Sequence, residues 1–380
     1  MRRTTPRRIV ARLVAVTALS LIASGSALGT ASTVASAGTP AATGAEERET
    51  SAGNRLVGRE WGVYKGPAEM AWEPYVKATG RKKKLLATIA LAPKAKWFGA
   101  WIPDRDIAAK VEDYIAKSQD GNPDALVQLA VFRMVPWEHE ACRRLPTEAE
   151  KKSYRVWTRR FARAVGDTPT ALILQPDGPF ALCAPGGSTA PSRLIAYSTR
   201  VYSALPNTSV YIDAGAADWP APGNGGGVRS AVKLLVRAGV EHARGFALNS
   251  THYSSTDLEV ERGTEIVEAL ERRGITDKHF VVNTSSNGHP FPFGTYTGPD
   301  PNNAKVCRTG NESASTTCVT LGIPPTAEVA HPRWGLSDLT NERAAAHVDA
   351  YLWFGRPWLH RQAKPFVMKR ALRLVRSSPY

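Results

Sequence analysis

Asp177 directly follows the apolar run Ala-Leu-Ile-Leu-Gln-Pro and precedes Gly178. A carboxyl group at the mouth of a buried strand is unfavourably placed. Burial raises its pKa and favours the protonated form, which a general acid requires. Pro-Asp-Gly is also a strong turn signal, so the plain alternative is a turn or helix-capping aspartate. Asp213, in Ile-Asp-Ala-Gly, faces the same choice. The ends of the other apolar runs supply Trp97 and Trp101, the Trp137-Glu138-His139-Glu140 segment, Trp219, and Asn249 with His252 and Tyr253. Further along come Asn283 with Asn287, then Trp353, Arg356 and Trp358. Acids, amides and tryptophans together suit a sugar polymer, because ring faces stack on aromatic planes while amides and acids bind hydroxyls.

Other chemistries lack their parts. No Gly-x-Ser-x-Gly elbow is present for a serine hydrolase. Gly223–Gly227 precedes a helical pattern without the Lys-Ser/Thr pair of a phosphate-cradling loop. His139 is a lone histidine in a charged loop, more in keeping with a surface position than a ligand. The cysteines form no CxxC pairs and no His/Cys clusters, so no structural zinc or other metal is expected on them.

The elements that must position these residues alternate in type. Strand candidates are Leu85–Leu91, Ala125–Val135, Thr170–Gln175, Ser209–Ala214, Gly245–Asn249, Phe280–Asn283 and His347–Phe354. Most are continuously apolar, the mark of a parallel sheet buried on both faces. Between them, Asp106–Lys117, Glu148–Ala164, Pro191–Ala204, Val228–Ala238 and Glu259–Arg273 carry apolar residues at helical spacing. Repeated strand–helix alternation implies right-handed crossovers and a closed or nearly closed α/β barrel, with active residues on the loops after each strand. An open doubly wound sheet is the alternative, but no GxGxxG opens a helix. Residues 284–346, rich in Gly and Pro and poorly periodic, read as a binding loop rather than a core element.

The N-terminus reads as an export signal over residues 1–37. Arg2, Arg3, Arg7, Arg8 and Arg12 precede the apolar stretch Leu13–Ala23, and Ala35-Ser36-Ala37 offers a cleavage pattern. The apolar part is too short to span a membrane. Residues 38–53 read as a flexible lead-in and 54–380 as the functional domain. The protein is thus expected to be secreted, with no membrane association once the signal is removed. Loss of the five leader arginines lowers the formal net charge from +15 to +10. The remaining excess is scattered without interleaved aromatics, so nucleic acid is not an expected partner. Four cysteines in an exported chain imply two disulfides, with three possible pairings. Cys142 and Cys183 each follow an apolar run, and Cys307 and Cys318 are close enough to close a local loop.

Taken in order, Trp97-Phe98, Gln175-Pro-Asp177-Gly, Tyr211-Ile-Asp213-Ala-Gly-Ala-Ala-Asp-Trp219, Gly245-Phe-Ala-Leu-Asn249 with Tyr253, Asn283-Thr-Ser-Ser-Asn287-Gly, and Asp349-Ala-Tyr-Leu-Trp353 form a recognisable series. On these residues the chain resembles glycoside hydrolase family 6, the inverting β-1,4-glucanases, from about Asn54 to Phe366. The resemblance implies a distorted seven-stranded parallel β/α barrel, a polysaccharide substrate and no cofactor. It places Asp177 as the general acid and Asp213 as the acid of the family's Asp-Ala-Gly motif. Trp97, Trp219 and His252 fall at sugar-contacting positions, and Asn249, Tyr253 and Trp353 join them as binding candidates. It also implies a Cys142–Cys183 bridge, bracing the two loops that hold acidic residues. Cys307 has no counterpart in the family's second bridge.

Departures from the family pattern are as informative. Gln175 replaces a glutamate. Glu138-His139-Glu140-Ala141-Cys142 replaces Asp-Arg-Asp-Cys, leaving Glu140 or Glu138 to reach the same space. After the last strand, Gly355-Arg356-Pro357-Trp358-Leu359-His360-Arg361 replaces Lys-x-Pro-Gly-Glu-x-Asp, whose aspartate is the family's proposed base. An inverting mechanism needs a second carboxylate to activate water. It must come from the Glu138/Glu140 loop, from Asp213, or through a water chain. The expectation is a monomeric, secreted glycosidase acting on β-1,4-glucan or a related polysaccharide, with Asp177 as acid and Glu140 as base partner. The alternatives are a carbohydrate-binding protein on a hydrolase scaffold with little or no turnover, and a hydrolase of a different exported glycan.

Overall fold

The computed structural model of the protein describes residues 53–221 and 226–380, apart from the side chain of Glu138. The leader read over residues 1–37, and the lead-in up to residue 52, lie outside the described residues.

Seven strands form one parallel sheet in chain order: β1 Lys96–Gly99, β2 Val127–Phe132, β3 Thr170–Leu174, β4 Thr208–Asp213, β5 Gly245–Leu248, β6 His279–Asn283 and β7 Val348–Leu352. Each pairs with the next in parallel register. Both faces are apolar, as a parallel sheet demands, but they serve different cores. Val127, Leu129 and Val131 of β2, Leu172 and Leu174 of β3, and Val210 and Ile212 of β4 face outward to the helices. The alternate residues Ala130, Phe132, Ala171, Ile173, Tyr211, Ala247, Val281, Ala350 and Leu352 fill the interior. Alanines alternate there with large side chains, which suits a narrow curled barrel packed with side chains rather than holding a pore.

The expected seven strands are found, six of them where the apolar runs placed them. The exception is Leu85–Leu91, which is helical within Gly80–Ala90 and buries Leu86, Ile89 and Ala90. That three- and four-residue spacing is a helical stripe, and its residues are good helix formers. The true first strand is the short Lys-Trp-Phe-Gly segment. Sheet curling brings β1 and β7 together without strand pairing. Ala95 N donates to Trp353 O at 2.9 Å, and the Trp97 indole Nε1 donates to Phe354 O at 2.6 Å across the seam.

Helices cover the outside. Those at Ile107–Gln119, Glu148–Val165, Ala190–Ser203, Val228–Arg237 and Thr256–Glu271 follow β1 to β5 in turn. The second starts at a capping box in which Thr147 and Glu150 satisfy each other's backbone N–H groups, and it buries Tyr154, Trp157, Phe161 and Val165 at helical spacing. Residues 284–346 are not merely a loop. Phe291, Val306, Val319 and Leu321 build a second core with Trp353, Trp358 and the helices Gly80–Ala90 and Met368–Ser377. The helix Asp338–His347 then leads into β7. Both disulfides form, Cys142–Cys183 and Cys307–Cys318.

Opposite the mouth, a bulge in β7 leaves Asp349 without a partner in register on β6. Its carboxylate, 1% exposed, takes two bonds from Arg244 at 2.8 Å and one from the Tyr211 hydroxyl at 2.7 Å. These groups close the amino-terminal end of the barrel.

Candidate active site

Parallel strands direct their carboxyl ends to one rim, and β3 and β4 bring Asp177 and Asp213 together there. The chain leaves β3 through Gln175 and Asp177, both left-handed with φ of 60° and 62°. Such backbone is costly for residues other than glycine, and it clusters where a side chain must be aimed. Asp177 opens the 3-10 turn Gly178–Leu182 and is half-buried. Gly178 explains the close approach: a Cβ there would lie 2.5 Å from the Asp213 carbonyl oxygen. No other residue lets these two strand ends pack so tightly.

Asp213 is 1% exposed. Burial pushes its carboxyl well above the ordinary carboxylate range, and Asp177 adds to the rise. Hydrogen bonds from Ser250 and from the Gly215 and Gly178 backbones only partly offset this. The acid raised by burial is therefore Asp213, one strand over from the residue at which the sequence pattern pointed. Both are held by consecutive hydroxyls on the loop after β5, Ser250 bonding Asp213 and Thr251 Oγ1 bonding Asp177 Oδ1 at 3.1 Å. Neither hydroxyl carries a sequence signal, since serine and threonine are ordinary in loops.

Beside the acids stands an aromatic wall. Trp219, half-buried, packs against Phe180 at 5.2 Å and stacks on His252 at 5.7 Å, and His252 stacks on Phe293 at 4.5 Å. Asp218 locks the wall. Its Oδ1 lies 2.7 Å from His252 Nδ1, and its Oδ2 accepts from Phe293 N at 2.7 Å. Burial alone would raise the Asp218 carboxyl, but the bonds from His252 and Phe293 bring it below its ordinary value. Behind it, Glu259 is fully buried and bonds Ala217 N at 2.9 Å. Burial pushes its carboxyl up to about 8. Asp218 and Glu259 were not among the expected site residues, because their partners lie dozens of residues away in sequence.

The remaining candidates separate. Trp97, 8% exposed, sits beneath Arg356, whose guanidinium carbon lies 4.8 Å from its ring. Phe132, Trp137 and the 52% exposed Trp101 continue this row along the rim. Asn249, Tyr253 and Trp353 are buried behind the rim. Asn249 and Asn283 exchange amide bonds to each other's backbone carbonyl at 3.1 and 2.9 Å. Tyr253 bonds Pro301 O and Trp353 bonds Ile323 O. Glu140, on the short helix Glu138–Ala141, accepts from Arg144 Nη2 at 2.7 Å, and the same nitrogen donates to Glu150. The Cys142–Cys183 bridge ties that helix to the turn carrying Asp177.

A parallel barrel gathering two coupled carboxyl groups and a run of aromatic rings at its carboxyl rim is built as a glycosidase barrel. More narrowly, the chain belongs to family 6 of the glycosyl hydrolases, whose model matches residues 63–332. It is similar to endoglucanase A of Cellulomonas fimi, 30% identical over 229 residues that make up 60% of this chain and 47% of that protein. Endoglucanase 1 of Streptomyces halstedii is 29% identical over 237 residues, covering 60% and 70% respectively. The chain thus spans about half the length of the first of these relatives. Among solved structures, the endoglucanase Cel6 of Mycobacterium tuberculosis, in complex with a methyl-cellobiosyl-4-deoxy-4-thio-β-D-cellobioside, superposes with a TM-score of 0.63 at 25% identity. It covers 84% of this chain and 98% of its own. Cellobiohydrolase II from Humicola insolens shares the fold at 18% identity, with a TM-score of 0.56 over 79% of this chain and 85% of its own.

Proposed function

We propose that the protein is a secreted glycosidase that hydrolyses β-1,4-glucan or a related polysaccharide with inversion. The observation that carries this reading is the pairing of Asp177 and Asp213 at the rim. Two carboxyl groups in such proximity resist ionising together, so the pair retains a proton that two exposed carboxyls would have lost. In this reading Asp177, the more exposed of the two, donates a proton to the departing glycosidic oxygen. Asp213 and Ser250 form its buried reservoir side. Glu140, paired with Arg144, accepts a proton from the water that attacks the anomeric carbon on the opposite face. An inverting pair needs a separation of about 6.5–9.5 Å, leaving room for that water. Trp219 and His252 supply stacking surfaces, Trp97 contributes through the group it carries, and Asn249, Tyr253 and Trp353 brace the wall behind them. Two disulfides accord with an oxidising compartment.

Reducing-end release from soluble cellulose derivatives, with the anomer of the fresh product read by proton NMR, tests the reading. Wild type should release the inverted anomer, and Asp177→Asn should lose about 10²–10⁴-fold in kcat. Release of the retained anomer, or an unimpaired Asp177→Asn variant, would reject it. The Arg144 clamp on Glu140 favours one competing reading, a glycan-binding protein with little turnover. Undetectable release together with retained binding would establish that alternative.

A further inference from the structure

One group of charges near the rim remains unaccounted for by the hydrolytic reading. Arg356 follows β7, outside the stretch matched by the family model. Its guanidinium lies on the Trp97 ring, and its Nε is buried without a hydrogen-bond partner. Arg356 lines a narrow crevice with Glu69, Lys94, Lys96, Trp97 and Trp358. Three cations therefore surround one carboxylate, and that carboxylate is already engaged. Glu69 Oε2 lies 3.5 Å from Lys94 Nζ, while Oε1 accepts from Ala71 N at 2.9 Å. Lys96 Nζ donates to the Ala68 carbonyl at 2.5 Å. Among the described residues, neither Lys96 nor Arg356 has a carboxylate within ion-pairing distance.

Burying positive charge without a counterion is costly, and proteins ordinarily pair or neutralise such groups. Lys94 is buried and Lys96 and Arg356 are half-buried, and burial draws the two lysines below the ordinary lysine range and Arg356 down to about 10. A planar guanidinium fixed on an aromatic face is preorganised for two-point recognition of a carboxylate. The crevice volume, about 20 Å³, admits the oxygens of one small group and not a sugar ring. The ring would lie outside, along the Trp97, Phe132 and Trp137 row.

We propose that Arg356 and Lys96, on the Trp97 platform, form a subsite for a carboxylate carried by a sugar unit, so that the preferred glycan is acidic rather than neutral. This rests on the reading of the rim as a glycan site. The carboxylate belongs either to a uronic acid at C6 or to an acidic substituent on a hydroxyl. Both present the same anion to the same guanidinium.

The test is isothermal titration calorimetry on the full chain carrying Asp177→Asn, which slows turnover about 10²–10⁴-fold. Three ligands of equal length are compared: a neutral cello-oligosaccharide, a β-1,4-linked oligoglucuronate, and a carboxymethylated cello-oligosaccharide. At least one acidic ligand should bind about 10-fold or more tightly than the neutral one, as a charged hydrogen bond warrants, and which one does identifies the source of the carboxylate. Added salt should erode that preference. Arg356→Gln should bring the acidic-to-neutral ratio close to one, Arg356→Lys should retain part of it, and Lys96→Gln should reduce it without touching the Trp97 stack. Thermal melting checks that each variant is folded. Equal or weaker binding of both acidic ligands, binding of none of the three, or a preference that survives both Arg356→Gln and Lys96→Gln would overturn the proposal. Failure of wild type to release reducing ends would count against the hydrolytic reading alone, since binding preference is measured independently of turnover.

Discussion

At the scale of single residues, the site depends on which carboxyl groups are ionised. The proposed base, Glu140, holds its carboxylate against Arg144, and a base acts by taking a proton onto such a group. Glu140→Gln should therefore reduce kcat by about 10²–10⁴-fold with little change in KM, if its carboxylate takes the proton from water. Steady-state kinetics on a soluble glucan would show this, and an unchanged kcat would assign Glu140 to surface pairing alone. The sequence made Asp177 and Asp213 conspicuous because each ends an apolar run. It gave no means of seeing Ser250 and Thr251 as their partners, since a loop hydroxyl has no distinctive neighbourhood in one dimension. Arg356 was in view as a strand-end residue, but its place on Trp97 depends on the barrel bringing β7 back to β1.

At the scale of elements, the site is set by how closely two strand ends can approach. Gly178→Ala would drive a methyl group against the Asp213 carbonyl. It should cost about 1–3 kcal/mol in stability and lower kcat as well, because relief of the clash moves both acids. Denaturant titration and kinetics on the same variant check both effects. The Cys142–Cys183 bridge spans 41 residues, and chain-entropy arguments give a loop of that size about 4 kcal/mol. Paired serine substitution should lower the melting temperature, and it should impair turnover more than loss of Cys307–Cys318, which closes only 11 residues and does not tie the Asp177 turn. Six strands were legible because their apolar runs have no competing period. The first was not. Leu85–Leu91 is too short for periodicity to distinguish a strand from a helix, whereas Lys96–Gly99 is only one turn-length long and carries a lysine that no apolar-run criterion would admit.

At the scale of the whole molecule, two buried acids tie stability to pH. Asp213 and Glu259 both have carboxyls raised by burial. The unfolded chain ionises such a group at its ordinary value while the folded chain still holds the proton, so folding loses stability as pH rises. For Glu259 the window runs from 4.5 to about 8, and the full loss is on the order of 4–5 kcal/mol. The stabilising contribution is complete below that window and exhausted above it. Glu259→Gln keeps an acceptor for Ala217 N but cannot ionise, so it should flatten the decline in denaturation free energy between pH 5 and 8. A wild-type slope retained in the variant would place the effect elsewhere. The seam between β1 and β7 constrains the molecule differently. One indole fastens the two edges through its nitrogen and bears the Arg356 guanidinium on its face. Charge selection and ring closure therefore share a single latch. A lineage drifting toward a different glycan can alter Arg356 freely, but it cannot discard the tryptophan beneath without loosening the hoop itself.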